Sequence, residues 1–321
     1  MNIWQHLPKP IFALAPMEDV TDTVFRRIIK SCAPPDIMFT EFTSVDGLDS
    51  KGANIVGQRL TFTENEKPLI AQIWGTTTES YYKAAQDMVK REFDGIDINM
   101  GCPVPKVIKQ GCCSALINDH PKAQEIIAAT KEGAGELPVS VKTRIGFSSI
   151  VTEDWIGFLL EQKIAAIAVH GRTTKELSAV PNHWDEIAKA RILRDKISPS
   201  TIIIGNGDIK SREEGLEKIK EHGLDGVMIG RGVLENPWIF EKNSEFEIWN
   251  SKNRLALFKS HISLFDETWG DKKNFAILKK FIKMYISGFD GAAKLRNQLF
   301  ECKNIEELSE YLKQLVEKGT V

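Results

Sequence analysis

Ala166-Ile167-Ala168-Val169-His170-Gly171-Arg172-Thr173 is an apolar string that gives way, at its carboxyl end, to His-Gly-Arg-Thr. A strand covered on both faces reads as such a continuous run, because neither face meets water. Seven other short runs share this form, at 11–17, 36–42, 68–75, 95–101, 138–146, 201–209 and 226–232. Helix-like stretches lie between most of them, at 22–32, 79–93, 121–132, 152–163 and 211–222. Asn118 or Asp119 is a suitable N-cap for the third of these, and Ser211-x-x-Glu214 reads as a capping box for the last. The stretch 43–66 is irregular and predicts a short helix and a loop. Eight strands alternating with helices predict either a closed barrel or a doubly wound sheet. The strand count favours an α/β fold of the (β/α)8 TIM-barrel type.

After about residue 245 the strand-like runs stop. Residues 251–268, 272–288, 290–301 and 304–318 carry helical periodicity. The expected organisation is a barrel over 1–245 and a small C-terminal helical bundle over 246–321, joined near 243–250. A chain of 321 residues, 42% hydrophobic and 27% charged, accommodates both. The net charge of −2 conceals an asymmetry: residues 251–321 hold 13 Lys/Arg against 9 Asp/Glu, on an otherwise acidic chain. A basic tail domain suits a polyanion. The five cysteines, Cys32, Cys102, Cys112, Cys113 and Cys302, show no zinc-type spacing, so reduced thiols and no metal are expected. The amino terminus lacks a secretory pattern, and no apolar run reaches the ~18 residues of a membrane span. A soluble, cytoplasmic, monomeric protein is expected.

In a barrel the chemistry sits at the carboxyl ends of the strands. Those ends carry Pro16-Met17-Glu18, Gln72, Asn99-Met100-Gly101-Cys102-Pro103, Lys142 with Arg144, His170-Gly171-Arg172, Gly205-Asn206-Gly207-Asp208, and Gly230-Arg231-Gly232. The last two segments, at strands seven and eight, suit a phosphate: glycines admit the anion to the backbone and Arg231 adds charge. The competing reading makes the glycines only tight turns. Lys142, inside an apolar run, suits a cation beneath an electron-accepting ring; its alternative is a buried ion pair. Met17, Ile73 and Trp74 offer an apolar mouth for a flat ring. Cys102, between Gly101 and Pro103, is held at a strand exit, and the other four cysteines read as inert packing. Cys113 lies close enough in sequence to warrant comparison with Cys102.

Together, Ala15-Pro16-Met17, Gln72, Asp97-x-Asn99-x-Gly101-Cys102-Pro103, Lys142-x-Arg144, Val169-His170-Gly171-Arg172-Thr173, Gly205-Asn206-Gly207-Asp208 and Gly230-Arg231-Gly232 resemble the tRNA-dihydrouridine synthases. Lys280-Phe281, Tyr285 and Leu295-Arg296 resemble that family's helical tRNA-binding domain. The resemblance implies bound FMN, NADPH as reductant and tRNA as substrate. Hydride passes from reduced FMN to C6 of a D-loop uracil, and a proton passes from Cys102 to C5. It implies FMN contacts at Pro16, Met17, Glu18, Gln72, Lys142, His170, Asn206, Gly207, Asp208, Gly230 and Arg231. Substrate contacts are implied at Asn99, Arg144 and Arg172 and, in the tail, at Lys279, Lys280, Lys283 and Arg296. The chain departs from the family in two places. Leu177-Ser178-Ala179-Val180-Pro181-Asn182-His183-Trp184 replaces a Tyr-x-Gly-like stretch in a loop positioned to touch substrate. Cys112-Cys113 stand where small residues are common, adding redox-sensitive thiols near the site.

Three rivals compete with this reading, one of them an RNA-binding protein that has lost catalysis, against which the intact Cys102 argues. An FMN-dependent barrel dehydrogenase acting on a free pyrimidine explains the barrel but leaves the helical tail without a use. A phosphate-sugar lyase using Lys142 as a Schiff base needs no flavin.

Overall fold

The computed structural model describes residues 2–242 and 251–317. All eight expected strands form, and all are parallel. They are β1 (Ile11–Leu14), β2 (Met38–Phe39) continued by β3 (Thr43–Ser44), β4 (Leu69–Trp74), β5 (Gly95–Met100), β6 (Val139–Arg144), β7 (Ala166–His170), β8 (Ile202–Asn206) and β9 (Gly226–Ile229). Their order is β1-β9-β8-β7-β6-β5-β4-β2, with β3 also on β4. A parallel bridge between Ala13 and Ile37 joins the two ends, so the sheet closes into a barrel. The second strand is shorter than its apolar run. Thr40 donates its hydroxyl to the Glu41 carbonyl at 2.8 Å and takes the Gln72 N–H at 3.0 Å, which breaks the ladder.

Side chains alternate across a strand, so every second residue faces inward. The interior holds Ile11, Ala13, Ala15, Ile37, Phe39, Ile70, Ala166, Ala168, Ile202, Ile204 and Met228, with Trp4 and Leu7 of the N-terminal segment packed against them. On β4, β5 and β6 the inward positions turn polar toward the strand ends: Gln72, Asp97, Asn99, Ser140 and Lys142. Registers set Gln72 beside Asp97, Asp97 beside Ser140, and Asn99 beside Lys142. Ile73, adjacent to inward Gln72, therefore faces the helix layer rather than the mouth.

The helices largely match expectation, with Asp119 as the N-cap, accepting from Lys122 N at 3.1 Å. Ser211 caps its helix through Glu214 N, but the Glu214 carboxylate takes Lys210 N at 2.8 Å rather than the cap residue's own N–H, so the box is incomplete. The helix Trp184–Ile197 leaves only a weak mark in the sequence, because Ile192 and Ile197 are exposed and blur its apolar face.

The chain divides into two compact units. One comprises Met1–Thr23 and Pro35–Gly230; the other comprises Val24–Pro34 and Arg231–Val321. The expected joint at 243–250, and with it the boundary at 245/246, lies outside the described residues. The second unit contains the helices Ser251–Trp269, Ala292–Glu301 and Ile305–Glu317. The helix expected over 272–288 is instead two single turns, Ala276–Lys279 and Ile282–Tyr285. Lys273 is extended, and the Asn274 side chain accepts from Ala276 N at 2.8 Å. Phe25 stacks on Phe281 at 5.1 Å, Phe258 stacks on Tyr285 at 4.6 Å, and His261 Nδ1 meets the Tyr285 hydroxyl at 2.7 Å. Phe281, Tyr285 and Leu295, which carried part of the tail's family resemblance, are therefore core residues of this unit.

Candidate active site

A polar network crosses the barrel wall and ends at Cys102. Ser140 Oγ donates to Asp97 Oδ1 at 2.6 Å, and Gln72 Nε2 donates to Asp97 Oδ2 at 2.7 Å. Asn99 Nδ2 donates to Gln72 Oε1 at 2.9 Å. Asn99 Oδ1 then accepts the N–H groups of Gly101 at 3.1 Å and Cys102 at 2.9 Å. The side chains of β4, β5 and β6 thus fix the backbone at the strand exit. Asn99 acts on the backbone bearing the thiol. Burial pushes the Asp97 carboxyl up to about 6, against the bonds from Ser140 and Gln72 and the charge of Lys142.

The thiols separate sharply. Cys102 is drawn down from 9.0 to about 7, chiefly by a hydrogen bond from the Cys113 thiol; burial opposes this, while a Val104 backbone bond, Arg144 and Lys142 assist. Burial pushes Cys112 up to about 11 and Cys32 up to about 12, and raises Cys302 and Cys113 as well. Cys102, Cys112, Cys113 and Val107 form one buried cluster, with Phe42 and Trp74 against it. Cys113 adopts φ +54°, a region that favours glycine. Ser114 Oγ donates to the Cys102 carbonyl at 2.8 Å, tying the two backbones together.

Lys142 Nζ reaches Asn206 Oδ1 at 3.0 Å, and Asn206 Nδ2 donates to the Met228 carbonyl at 2.8 Å. Loss of water, then the nearby Arg144, brings the Lys142 ammonium down to about 8. The glycines of the last two strand ends differ from one another. A Cβ on Gly205 would meet Trp184 at 2.7 Å, so that glycine serves packing. Gly207 has φ +138° and would strike Asn182 Oδ1 at 2.2 Å. A Cβ on Gly230 would lie 3.7 Å from Ala15 Cβ and Met17 Sδ, with no positive φ, so nothing inside the protein requires glycine there. An open glycine after β9, whose neighbour strand β8 ends in Asn206, fits the approach of an anionic or ring-bearing ligand.

Two arginines expected at the substrate are buried, and their guanidinium groups hold loop backbone. Arg144 Nε donates to the Gly101 carbonyl at 2.8 Å, and its Nη1 to those of Thr173 at 3.1 Å and Leu177 at 3.2 Å. Burial is the main influence bringing Arg144 down to about 10. Arg172 Nε donates to the Val180 carbonyl at 2.7 Å, Nη1 faces His170 Nε2 at 3.3 Å, and the guanidinium pairs with Asp208. Glu18 pairs with Arg59 at 2.6 Å. Pro16 and Met17 follow β1, half-buried. Arg231, exposed, opens the second unit ahead of the turn Gly232–Glu235. In the tail, Lys280 and Lys283 are exposed, whereas Lys279 Nζ holds the Phe300 carbonyl at 2.6 Å and Arg296 Nη1 holds the Ile286 carbonyl at 2.9 Å. Sequence reading gave no role to Ser140 or Asp97. Their shared inward parity with Lys142 and Asn99 was the available signal.

A closed parallel barrel with a low-pKa thiol, a buried carboxyl and an ammonium at the carboxyl ends of its strands has the architecture of a barrel enzyme. The sequence profile of the dihydrouridine synthase (Dus) family matches residues 13–319. The chain is 46% identical over 309 residues to a probable tRNA-dihydrouridine synthase of Staphylococcus aureus (strain COL), covering 95% of this chain and 93% of that one. It is 44% identical over 310 residues to the probable tRNA-dihydrouridine synthase 2 of Bacillus subtilis (strain 168), covering 96% and 94%. Among solved structures, morphinone reductase superposes with a TM-score of 0.52 at 12% identity, over 74% of this chain and 85% of that chain, a shared barrel fold. The chain belongs to the dihydrouridine synthase family.

Proposed function

We propose that this protein is a cytoplasmic, flavin-dependent tRNA-dihydrouridine synthase that reduces the C5=C6 bond of D-loop uridines, with Cys102 as the proton donor. The observation that carries the reading is the state of Cys102: a thiol at a strand exit, its backbone fixed by Asn99, its pKa near neutrality. A general acid works best when its pKa lies near the operating pH. Family membership supplies the reaction class.

The residues present fit FMN. Lys142, Asn206, the open Gly230, and Met17 beside it would hold it, with Gly207 toward its phosphate. Bound FMN, reduced by NADPH, would supply hydride to C6. Cys102 gives its proton to C5 as charge develops there, and the thiolate left behind is stabilised by the Cys113 thiol and by Arg144. Lys142 offers positive charge at the mouth. The exposed Lys280 and Lys283 of the basic tail suit the phosphate backbone. A base inside a folded RNA must leave its stack to reach a barrel mouth.

The test is direct. Purified protein with FMN and NADPH should form dihydrouridine in an unmodified tRNA transcript and leave free uracil untouched. Cys102→Ala should keep flavin and tRNA while losing most turnover. Turnover of free pyrimidine without tRNA would replace this reading with the small-molecule dehydrogenase, and wild-type rates in Cys102→Ala would remove the thiol from the mechanism.

A further inference from the structure

Leu177 is a large apolar residue in an unfavourable conformation, held beside the catalytic strand exit. Its φ is +53° and it is 51% exposed. A leucine at positive φ is strained, and glycine would adopt the same backbone freely. The surrounding structure enforces it. The guanidinium of Arg144 that takes the carbonyl of Gly101, the residue before Cys102, also takes the carbonyl of Leu177. The flanks are anchored too: Thr173 N–H donates to Glu176 Oε2 at 2.7 Å, Ala179 N–H to the Glu176 carbonyl at 2.9 Å, and Arg172 holds Val180. This is an anchored loop with one exposed apolar side chain, tied through Arg144 to the strand exit that carries the thiol.

Its neighbours on the rim have the same character. Val104, after β5, is 46% exposed, and Ile150, after β6, is 42% exposed. Three consecutive strand ends thus each raise an apolar side chain, while Lys106 and Lys109, in and after the helical turn Pro105–Ile108 that follows β5, and Lys175, after β7, stand exposed. Apolar tips among cations suit a ligand with flat apolar faces and a polyanionic backbone.

We propose that Leu177 is a specificity-determining contact that packs against the nucleobase flanking the reduced uridine and keeps the target base out of its stack over Cys102. The proposal rests on the tRNA reading above. Proteins that unstack nucleic acids commonly insert Leu, Ile, Met or Phe at the disturbed step.

Leu177→Gly separates this role from a structural one, because it relieves the strain while deleting the contact. The melting temperature should stay level or rise and flavin content should not change, while kcat/KM for a tRNA transcript falls about tenfold or more, the size of one lost base contact. Leu177→Met should restore most of it. An active wild type matched by Leu177→Gly would overturn the assignment of Leu177 alone. A wild type that reduces no uridine in tRNA would overturn the tRNA reading beneath it.

Discussion

The influence of Cys113 on Cys102 can be measured without any substrate. Cys102 lies at about 7 instead of 9.0, and the Cys113 thiol is the largest cause. At pH 7 a thiol of pKa 7 is half ionised and one of pKa 9 about 1% ionised, a ~50-fold difference in thiolate. Nucleophilicity rises with pKa at a slope of about 0.45, which returns ~8-fold, so loss of the whole shift would slow alkylation at pH 7 by only ~6-fold. The midpoint of the pH–rate profile is therefore the better observable. Cys113→Ala removes the leading cause and leaves burial opposing the weaker help of Val104, Arg144 and Lys142, so the midpoint should rise by about one unit or more. Cys113→Ser keeps a donor and should stay near the parent. The assay is iodoacetamide modification read by peptide mass between pH 5.5 and 9.5. The other thiols remain silent in the lower half of that range, since Cys112 and Cys32 ionise near 11 and 12. A Cys113→Ala midpoint within about 0.3 of the parent would refute the coupling.

Other outcomes follow from the same geometry. Asp97, raised from 3.8 to about 6, stabilises the fold fully below 3.8 and loses that contribution as pH rises through 6. Denaturant titrations of wild type and Asp97→Asn should therefore diverge between pH 4 and 7 by at most about 3 kcal/mol, and parallel profiles would contradict the assignment. Gly226→Ala, whose Cβ would lie 2.2 Å from the Ile11 carbonyl, should cost about 3 kcal/mol by splitting β1 from β9. Gly230→Ala should leave stability within about 0.5 kcal/mol but weaken flavin binding, so unchanged FMN affinity by fluorescence would remove Gly230 from the cofactor site. Neutralising Lys280 or Lys283 should reduce the salt slope of tRNA binding by about one each, whereas Lys279→Ala and Arg296→Ala should act mainly on thermal stability.

The strands were legible because burial on both faces leaves a mark that survives in a single chain. Ala166–His170 and Ile202–Asn206 read as apolar strings for the same reason that they sit between core and helices. The helix Trp184–Ile197 was less legible because Ile192 and Ile197 face solvent. Thiol reactivity was half legible. Position at a strand exit singled out Cys102, but the contact with Cys113 depends on the loop returning at φ +54°, which no local pattern encodes.

The arginines show where residue-type reasoning stops. A strand-end arginine is equally suited to an incoming phosphate and to a backbone carbonyl from a distant loop, because its donors serve either. Arg144 joins carbonyls 29 and 33 residues ahead of it to one 43 residues behind. Arg172 binds a carbonyl 8 residues on and a carboxylate 36 residues on. Such pairings arise from closure of the barrel, which brings successive strand ends to one rim whatever their separation in sequence. Donors read as substrate contacts also hold the loop that carries Leu177. It follows that Arg144→Lys, which keeps the charge but loses the multiple backbone bonds, should release the loop at both Gly101 and Leu177. Its effect on kcat/KM for tRNA should equal or exceed that of Leu177→Gly, and parent-like kinetics in Arg144→Lys would show that the staple does no positioning.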